Sequence, residues 1–361
     1  YLYQLAQAVP STANVDSYAK IIKEKYYIRT LIGISEEILR EATDSTAEAD
    51  VLLDSAEQKI YDIRQGKNTG EASKLSDIIM DKVYDRLNKL NSEDREQYLG
   101  FTTGFGDLDR VISGLNKSDL IIVGARPAMG KTTFALNMAL NVAKKYKKTV
   151  AFFSLEMSRE ELAMRLLSSE SFVDSQKMAT GKLTEEEWVK IGMASSALSQ
   201  TDIRVDDNGG ITVAEMNAKL RRLDNLGLVV IDYLQLMQGS GYSKGNENRV
   251  QVVSDISRSL KVMAKELGVP VVCLSQLNRA AEGRSDKRPV LSDLRESGSI
   301  EQDADCVMML YRDDYYNPNT EEKNVAECIV AKNRHGEIGT VKLQWLPQYV
   351  TFADREWKHA E

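Results

Sequence analysis

Residues 120–133 combine an apolar run, a short turn and the tripeptide Gly130, Lys131 and Thr132, and this combination could bind phosphate. Helix-forming residues follow from residue 134 to residue 145. Backbone N–H groups in such a turn, and at the N-terminus of the helix behind it, point at phosphate oxygens. Because strand, turn and helix coincide, the segment predicts a nucleotide-binding loop rather than a glycine turn without a ligand.

The side chains of this loop have separate predicted roles at a bound ATP. Lys131 would lie between the β- and γ-phosphates, and the hydroxyl of Thr132 would bind Mg²⁺. The first glycine of the common loop pattern is replaced by Ala125, with Gly124 one residue earlier, and alanine is small enough for the turn to form. The other predicted nucleotide contacts are Ala128, Met129, Gly130 and Thr133.

Three further apolar runs end in polar residues, and these are Glu156, Asp232 and Gln276. Because ligands of open α/β sheets bind at the carboxyl ends of the strands, we expect these side chains to meet beside the loop. An acid that follows four apolar residues needs a partner, and Asp232 would hold Mg²⁺ through a water molecule. Three such strand ends beside one loop indicate a nucleotide site more specifically than any one of them does alone.

Several of these positions have both a functional and a plainer interpretation. Glu156 would orient and deprotonate the attacking water, or it would be a glutamate that favours a helix start. The amide of Gln276 would sense the γ-phosphate and relay its loss to the following loop, or it would be a surface glutamine. Arg165, on the helix after Glu156, would approach the nucleotide, or it would be an exposed helix cation.

The 361 residues are 42% hydrophobic and 28% charged, an ordinary balance for a globular chain. No apolar run approaches the ~20 residues that span a bilayer, so no membrane partner is expected. Three cysteines lie far apart in apolar runs, which favours buried reduced thiols and a cytoplasmic location.

The net charge of −7 neither establishes nor excludes a nucleic-acid partner, since a few cations lining one groove suffice. Because the sequence begins at Tyr1 rather than methionine, we expect a longer natural chain.

Three regions are predicted along the chain. Residues 1–65 read as helices joined in an antiparallel hairpin, with the second helix at 47–63. Residues 66–99 read as a linker with one helix at 72–90, whose apolar stripe packs on its own domain or docks on a neighbouring subunit. Residues 100–361 alternate strands with helices, which predicts an α/β domain with a mostly parallel sheet. The predicted strands lie at residues 120–123, 149–153, 228–231, 269–274, 307–311, 326–331 and 341–345.

Together these segments resemble the DnaB family of bacterial replicative helicases over essentially the whole chain. The motifs that carry the resemblance are residues 125–132, 154–157, 230–235, 274–279, 293–305 and 331–336. Leu-Arg-Glu-Ser-Gly at 294–298 and Lys-Asn-Arg-His-Gly at 332–336 discriminate best, since the others occur in many RecA-like ATPases. The resemblance implies a RecA-like P-loop core in a homohexameric ring that moves 5′→3′ on single-stranded DNA at the replication fork. It also implies a primase and a helicase loader as partners.

The resemblance assigns residues outside the loop as well. Lys332 and Arg334 would reach the γ-phosphate held by the next subunit, whereas the sequence alone shows two cations after a strand. A second segment, residues 239–249, carries Lys244 and Arg249 and would be either a DNA-contacting loop in the pore or a flexible connection. The DNA contacts that the family likeness implies are Arg295, Glu296 and Gly298.

Two other functions are compatible with a nucleotide loop. A RecA- or RadA-like ring ATPase would bind DNA without processive unwinding, and residues 295–299 together with the N-terminal helices disfavour it. A non-enzymatic subunit would keep ATP as a structural ligand, and the intact set of Lys131, Glu156 and Asp232 disfavours that. The sequence therefore favours an ATP-dependent DNA helicase.

Overall fold

Two helices pack side by side in the N-terminal part of the chain. The computed structural model describes residues 15–44, 49–64, 74–91, 99–237, 249–284, 286–294 and 298–355. Helix α1 spans Val15–Asp44 and helix α2 spans Ala49–Arg64. The Lys59 ammonium lies 3.1 Å from the carboxylate of Glu37 and 2.5 Å from that of Glu41, which joins the two helices as the predicted hairpin. Within the region predicted as this hairpin, residues 1–14, 45–48 and 65 lie outside the described residues.

A short helical stretch follows along the chain. Helix α3 (Leu75–Ile78) continues into a π-helical turn, Ile79–Val83, and then into α4 (Tyr84–Leu90). A π turn holds more residues than an α-helical turn, so this segment departs from the regular helical spacing that the sequence suggests. The predicted stripe residues that are exposed are Leu75, Ile79, Val83 and Leu87.

The chain forms two compact units, Tyr1–Val83 and Tyr84–Glu361. The division falls within the helical stretch. The boundaries predicted near residues 65 and 99 lie in or beside segments outside the described residues, so they stay predictions.

Among the described residues of the second unit, nine strands form one sheet in the order β3-β2-β4-β5-β1-β6-β7-β8-β9. The strands from β3 to β6 in this order are parallel, whereas β7, β8 and β9 are added antiparallel. The strands are β1 (Leu120–Ala125), β2 (Thr149–Ser154), β3 (Ile203–Asp206), β4 (Leu226–Asp232), β5 (Val271–Gln276), β6 (Cys306–Tyr311), β7 (Val325–Asn333), β8 (Gly339–Leu346) and β9 (Thr351–Asp354).

All seven predicted strands are confirmed, and β3 and β9 are the two that the sequence did not predict. Both have only four residues and lie at the edges of the sheet. An edge strand is covered less completely than a central one, so it lacks the continuous apolar run that marks the interior strands.

Helices cover both faces of this sheet. Several begin with a capping box, in which a Ser or Thr side chain and a Glu three residues later satisfy the first backbone N–H groups. The helices are α5 (Gly106–Ile112), α6 (Lys131–Tyr146), α7 (Arg159–Ser171), α8 (Ser175–Thr180), α9 (Glu185–Ser199), α10 (Val213–Leu220), α11 (Arg249–Leu267), α12 (Gly298–Asp303) and α13 (Asp313–Tyr316). In the described ranges, no helix is long and apolar enough to cross a membrane.

The hydrophobic core consists of two layers, one on each face of the sheet. Alternate residues of β1 enter opposite layers: Ile121 and Val123 pack with the α6 side, and Leu120 and Ile122 pack with the α11 side. Since every residue of β1 is buried, the strand is apolar on both faces and holds the loop that follows it in a fixed position.

The three cysteines are buried free thiols. Burial raises the pKa of Cys306 to about 12, and it raises the pKa values of Cys273 and Cys328 as well. Because the thiolate is the reactive form, we expect the native protein at pH 8 to resist a disulfide reagent such as Ellman's reagent. The same reagent should titrate three thiols after denaturation, and rapid labelling of the native protein would contradict this burial.

Candidate active site

The loop between β1 and α6 has the shape that phosphate binding requires. Ala128 and Gly130 adopt positive φ angles of 67° and 93°. A Cβ on Gly130 would lie 2.7 Å from the Phe352 ring, so only glycine fits at this turn. A Cβ on Gly124 would lie 2.8 Å from a methyl group of Leu277, so a larger residue there would displace the Leu277 side chain. The predicted loop and its helix therefore form as expected.

Behind the loop, Asp232 contacts Thr132 and Lys131, two residues that the sequence assigns to the same nucleotide site. The Thr132 hydroxyl donates to Asp232 Oδ2 at 2.5 Å, and the Lys131 ammonium lies 3.5 Å from Oδ1. Asp232 is fully buried, and among the described residues its Oδ1 accepts no hydrogen bond. A buried carboxylate oxygen without a donor, beside a hydroxyl, is the hard-oxygen set that Mg²⁺ prefers. The residues present therefore fit a magnesium ion.

Four strand ends meet along one edge of the sheet. The order β2, β4, β5, β1 places Glu156 after the first, Asp232 and Gln276 at the ends of the next two, and the phosphate loop after the last. Glu156 and Gln276 line a cleft of about 640 Å³ together with the loop. Other predicted nucleotide contacts that line this cleft are Ala128, Gly130, Lys131, Thr132, Thr133 and Arg165.

Two predicted contacts do not line the cleft through their side chains. Asp232 lies beneath it, bonded to Thr132. The Met129 side chain is packed in the core with 1% of its surface exposed, so any contact that it makes with a nucleotide uses its backbone.

Glu156 is exposed in the turn between β2 and α7. The cap of α7 is Ser158, whose side chain forms the capping box with Glu161. Glu156 therefore precedes the cap by two residues, and the interpretation as a helix-start glutamate loses its support. Its position on the cleft wall leaves the carboxylate available to a water molecule.

The backbone of Gln276 is held from the neighbouring strand end. The Gln235 side chain accepts from the Gln276 N–H at 3.1 Å and donates to Ser275 Oγ at 2.9 Å. One residue further on, Leu277 forms an antiparallel bridge with Leu294, and both are buried. A displacement of Gln276 would therefore be transmitted through Leu277 to Leu294, the residue immediately before position 295.

Aromatic residues that sequence reasoning missed complete the cleft. The Lys131 ammonium lies 4.1 Å from the centre of the Tyr233 ring, and Tyr233, Trp345 and Val350 line the same cleft. The Arg312 guanidinium stacks 5.1 Å from the Trp345 ring. Tyr233 could have been noticed because it follows Asp232 directly, whereas Trp345 reaches the cleft only through the antiparallel addition of β8.

Lys332 and Arg334 do not line the cleft of their own chain and contact the C-terminal end of α12 instead. The Lys332 ammonium donates to the carbonyl oxygens of Glu301 at 2.5 Å and Ala304 at 2.7 Å. Arg334 donates to the carbonyl oxygen of Gln302 at 2.8 Å. Burial, and then the charge of Arg334, lower the pKa of Lys332.

The turn that carries these cations is fixed by its other residues. Asn333 Nδ2 donates to the Val111 carbonyl at 3.1 Å, and the His335 ring lies 2.9 Å from the Asp119 carboxylate. Burial raises the pKa of Asp119, although its hydrogen bond with His335 opposes the change. Residues 332–336, one of the two motifs that discriminate best for the family, therefore form a turn that holds two cations in place.

Of the predicted DNA contacts, the described residues include Gly298, which begins α12, and Arg249, whose backbone begins α11. The Ser254 hydroxyl donates to Ser299 Oγ at 2.7 Å and so joins the second turn of α11 to the first turn of α12. The segments that precede the two helices thus lead into adjacent elements. Lys244, Arg295 and Glu296 lie outside the described residues, as does the Arg249 side chain.

An interior strand that ends in a phosphate loop, with an acid beyond β2 and a buried acid at the end of β4, defines a P-loop NTPase with a RecA-like sheet. The family profile described as DnaB-like helicase C terminal domain matches residues 100–354. The chain therefore belongs to the DnaB-like helicases.

Similar proteins agree with this assignment. Replicative DNA helicase DnaB of Geobacillus stearothermophilus is 51% identical over 100% of this chain and 79% of its own length. Replicative DNA helicase DnaC of Bacillus subtilis is 49% identical over 99% of this chain and 78% of its own. These identities extend over nearly the whole chain, so the protein is an ATP-dependent replicative DNA helicase, as the sequence predicts.

A solved structure matches the fold over nearly the whole chain as well. It is that of a DnaB-like replicative helicase, described with its interactions with primase. This helicase is 35% identical over 99% of this chain and 83% of its own, with a TM-score of 0.71. The match therefore includes the N-terminal helices as well as the sheet.

Proposed function

We propose that this helicase works as a ring of six copies that moves 5′→3′ on single-stranded DNA, with each ATP hydrolysed between two subunits. The observation that carries the proposal is the division of the hydrolytic groups. Lys131, Glu156 and Gln276 share one cleft, whereas Lys332 and Arg334 lie apart from it. The Arg334 side chain is 48% exposed, so it is the freer of the two to reach the cleft of a neighbour, because the Lys332 ammonium already donates to three carbonyl oxygens.

Within one cleft, the loop amides and Lys131 would hold the triphosphate. Glu156 would accept the proton of the attacking water and thereby raise its nucleophilicity. Thr132 and Asp232 would hold Mg²⁺, which when bound would neutralise charge on the phosphate oxygens. Arg165 and Gln276 would contact the phosphates from the cleft walls, and the contact from Gln276 would be lost with the γ-phosphate.

Lys332 and Arg334 would stabilise the charge that develops on the γ-phosphate held by the next subunit. A cation supplied by a neighbour typically contributes a factor of about 10³–10⁵ to the rate of phosphoryl transfer. Hydrolysis would then require assembly, because Lys332 and Arg334 do not line the cleft of their own chain.

DNA would be held along its backbone by the two segments that precede α11 and α12. Arg295, Glu296 and Gly298 would form one set of contacts, and Lys244 and Arg249 the other. Contacts with phosphates do not read sequence, which suits an enzyme that must pass along any template. The bridge between Leu277 and Leu294 supports a route by which loss of the γ-phosphate at Gln276 would shift the first set.

We further propose a primase and a helicase loader as partners, in the cytoplasm at the replication fork. Residues 1–65 would be part of a helical domain and residues 66–99 a linker. The exposed apolar residues between 75 and 87 would dock on the adjacent subunit, because a stripe of this kind needs a cover.

A fork with a single 5′ tail tests the direction of movement. We expect the purified protein to unwind such a fork with ATP and Mg²⁺, and to leave a matched fork with only a 3′ tail intact. Strand separation by a fluorophore and quencher pair would follow the reaction, with a non-hydrolysable ATP analogue as control. Unwinding from the 3′ tail would reverse the proposed polarity. Hydrolysis without any unwinding would instead match a RecA-like ring that does not unwind.

A further inference from the structure

Asp305 lies where β1, β6 and the turn between β7 and β8 meet. Its side chain is 5% exposed, and both of its carboxylate oxygens are used. Oδ2 accepts from the Leu120 N–H at 2.8 Å and from the Lys261 ammonium at 2.5 Å. Oδ1 accepts from Arg334 Nη1 at 3.2 Å. A buried carboxylate with this many donors is held firmly in one orientation.

Arg334 is attached to Asp305 twice. Besides the side-chain bond, the backbone N–H of Arg334 donates to the Asp305 carbonyl at 2.9 Å. Nη2 donates to the Gln302 carbonyl at the end of α12. A guanidinium has five N–H groups and the Arg334 side chain is 48% exposed, so donors are left for a phosphate while two are fixed.

We propose that Asp305 is a positioning residue that orients the Arg334 guanidinium for the γ-phosphate of the neighbouring subunit. The inference rests on the role proposed above for Arg334. A long arginine side chain on a turn would otherwise sample many rotamers, and Asp305 restricts it before the nucleotide arrives. The Gln302 carbonyl at the end of α12 is the other acceptor for the guanidinium. The orientation of Arg334 therefore also depends on the position of α12.

Asp305→Asn is the test variant, because it keeps the size and removes one acceptor. The amide oxygen would stay with Leu120 and Lys261, and the NH₂ group would then face the Arg334 guanidinium, a donor against a donor. We expect ring ATPase with single-stranded DNA to show kcat lowered by about 10- to 100-fold, with KM for ATP nearly unchanged. Lys261→Met is the matched control: it removes a cation from Oδ2, leaves the Arg334 contact and should retain most of the activity.

Mixed rings separate positioning from a structural role. Lys131→Ala subunits cannot hydrolyse ATP but supply an oriented Arg334, so mixing them with Asp305→Asn subunits should restore activity. The double variant Asp305→Asn/Arg334→Ala should be no slower than Arg334→Ala alone. Additive losses, or no restoration in mixed rings that do restore Arg334→Ala, would overturn the inference.

If mixing fails to restore Arg334→Ala itself, the proposed shared site fails, and that result is distinct from failure of the Asp305 role. Thermal unfolding of each variant establishes that it is folded. Asp305→Glu provides a second variant that keeps the charge and displaces the guanidinium. It should show a smaller loss of kcat that Lys131→Ala subunits again restore, and a loss that they do not restore would contradict the positioning role.

Discussion

Replacing Glu156 with glutamine is expected to lower ATP turnover by about 10²–10⁴-fold while ATP binding persists. The amide keeps the size of the side chain on the cleft wall but cannot accept the proton of the attacking water. Single-turnover hydrolysis of radiolabelled ATP by assembled protein with single-stranded DNA measures the rate. Binding of a fluorescent ATP analogue measures affinity in the same preparation.

Glu160→Gln is the matched control for this variant. Glu160 is an exposed acid in the first turn of α7, four residues further along, and it does not line the cleft. The control should hydrolyse ATP at the unmodified rate. Hydrolysis at that rate by Glu156→Gln would remove Glu156 as the base, and loss of ATP binding would indicate a role in holding the nucleotide instead.

Replacing Arg334 with alanine is expected to lower hydrolysis by about 10³–10⁵-fold in a ring made only of the variant. Nucleotide binding should persist, because Arg334 does not line the cleft of its own chain. Steady-state ATPase and nucleotide titration on the assembled variant measure the two quantities. Arg110→Ala is the control, since Arg110 is a largely exposed arginine paired with Asp107 on the surface of α5.

Mixing Arg334→Ala subunits with Lys131→Ala subunits tests directly whether Arg334 acts on the cleft of a neighbouring subunit. In randomly mixed equimolar rings, about one interface in four joins an intact cleft of the first variant to an intact Arg334 of the second. Activity should therefore appear in the mixture although both parents are inactive. Mixtures that remain inactive, after assembly is verified by native mass spectrometry, would place the hydrolytic cation within one chain.

The linker segment could be predicted only in part from the sequence. Apolar spacing predicts a helix at residues 72–90, and helical structure is present from Leu75 to Leu90. The π-helical turn at Ile79–Val83 has no sequence pattern by which it could be anticipated. Periodicity shows which residues are apolar, but it does not show whether one turn of the helix holds an extra residue.

The nucleotide loop, the interior strands and the acids that follow them could be predicted from the amino-acid sequence. These signals are local: a strand, a tight turn and a helix start are encoded by neighbouring residues, and a buried strand needs an unbroken apolar run. Lys131 and Asp232 could be assigned to one site because parallel strands present their carboxyl ends at one edge.

The distant residues that complete this arrangement could be identified from the folded domain but not from the sequence. Trp345 reaches the cleft, and Asp305 reaches Arg334, through pairings between strands that are far apart in sequence. The same holds for the contact of Lys332 with the end of α12, which no spacing along the chain could predict. Such contacts depend on sheet order and register, and these are set by packing of the whole domain rather than by the residues beside each group.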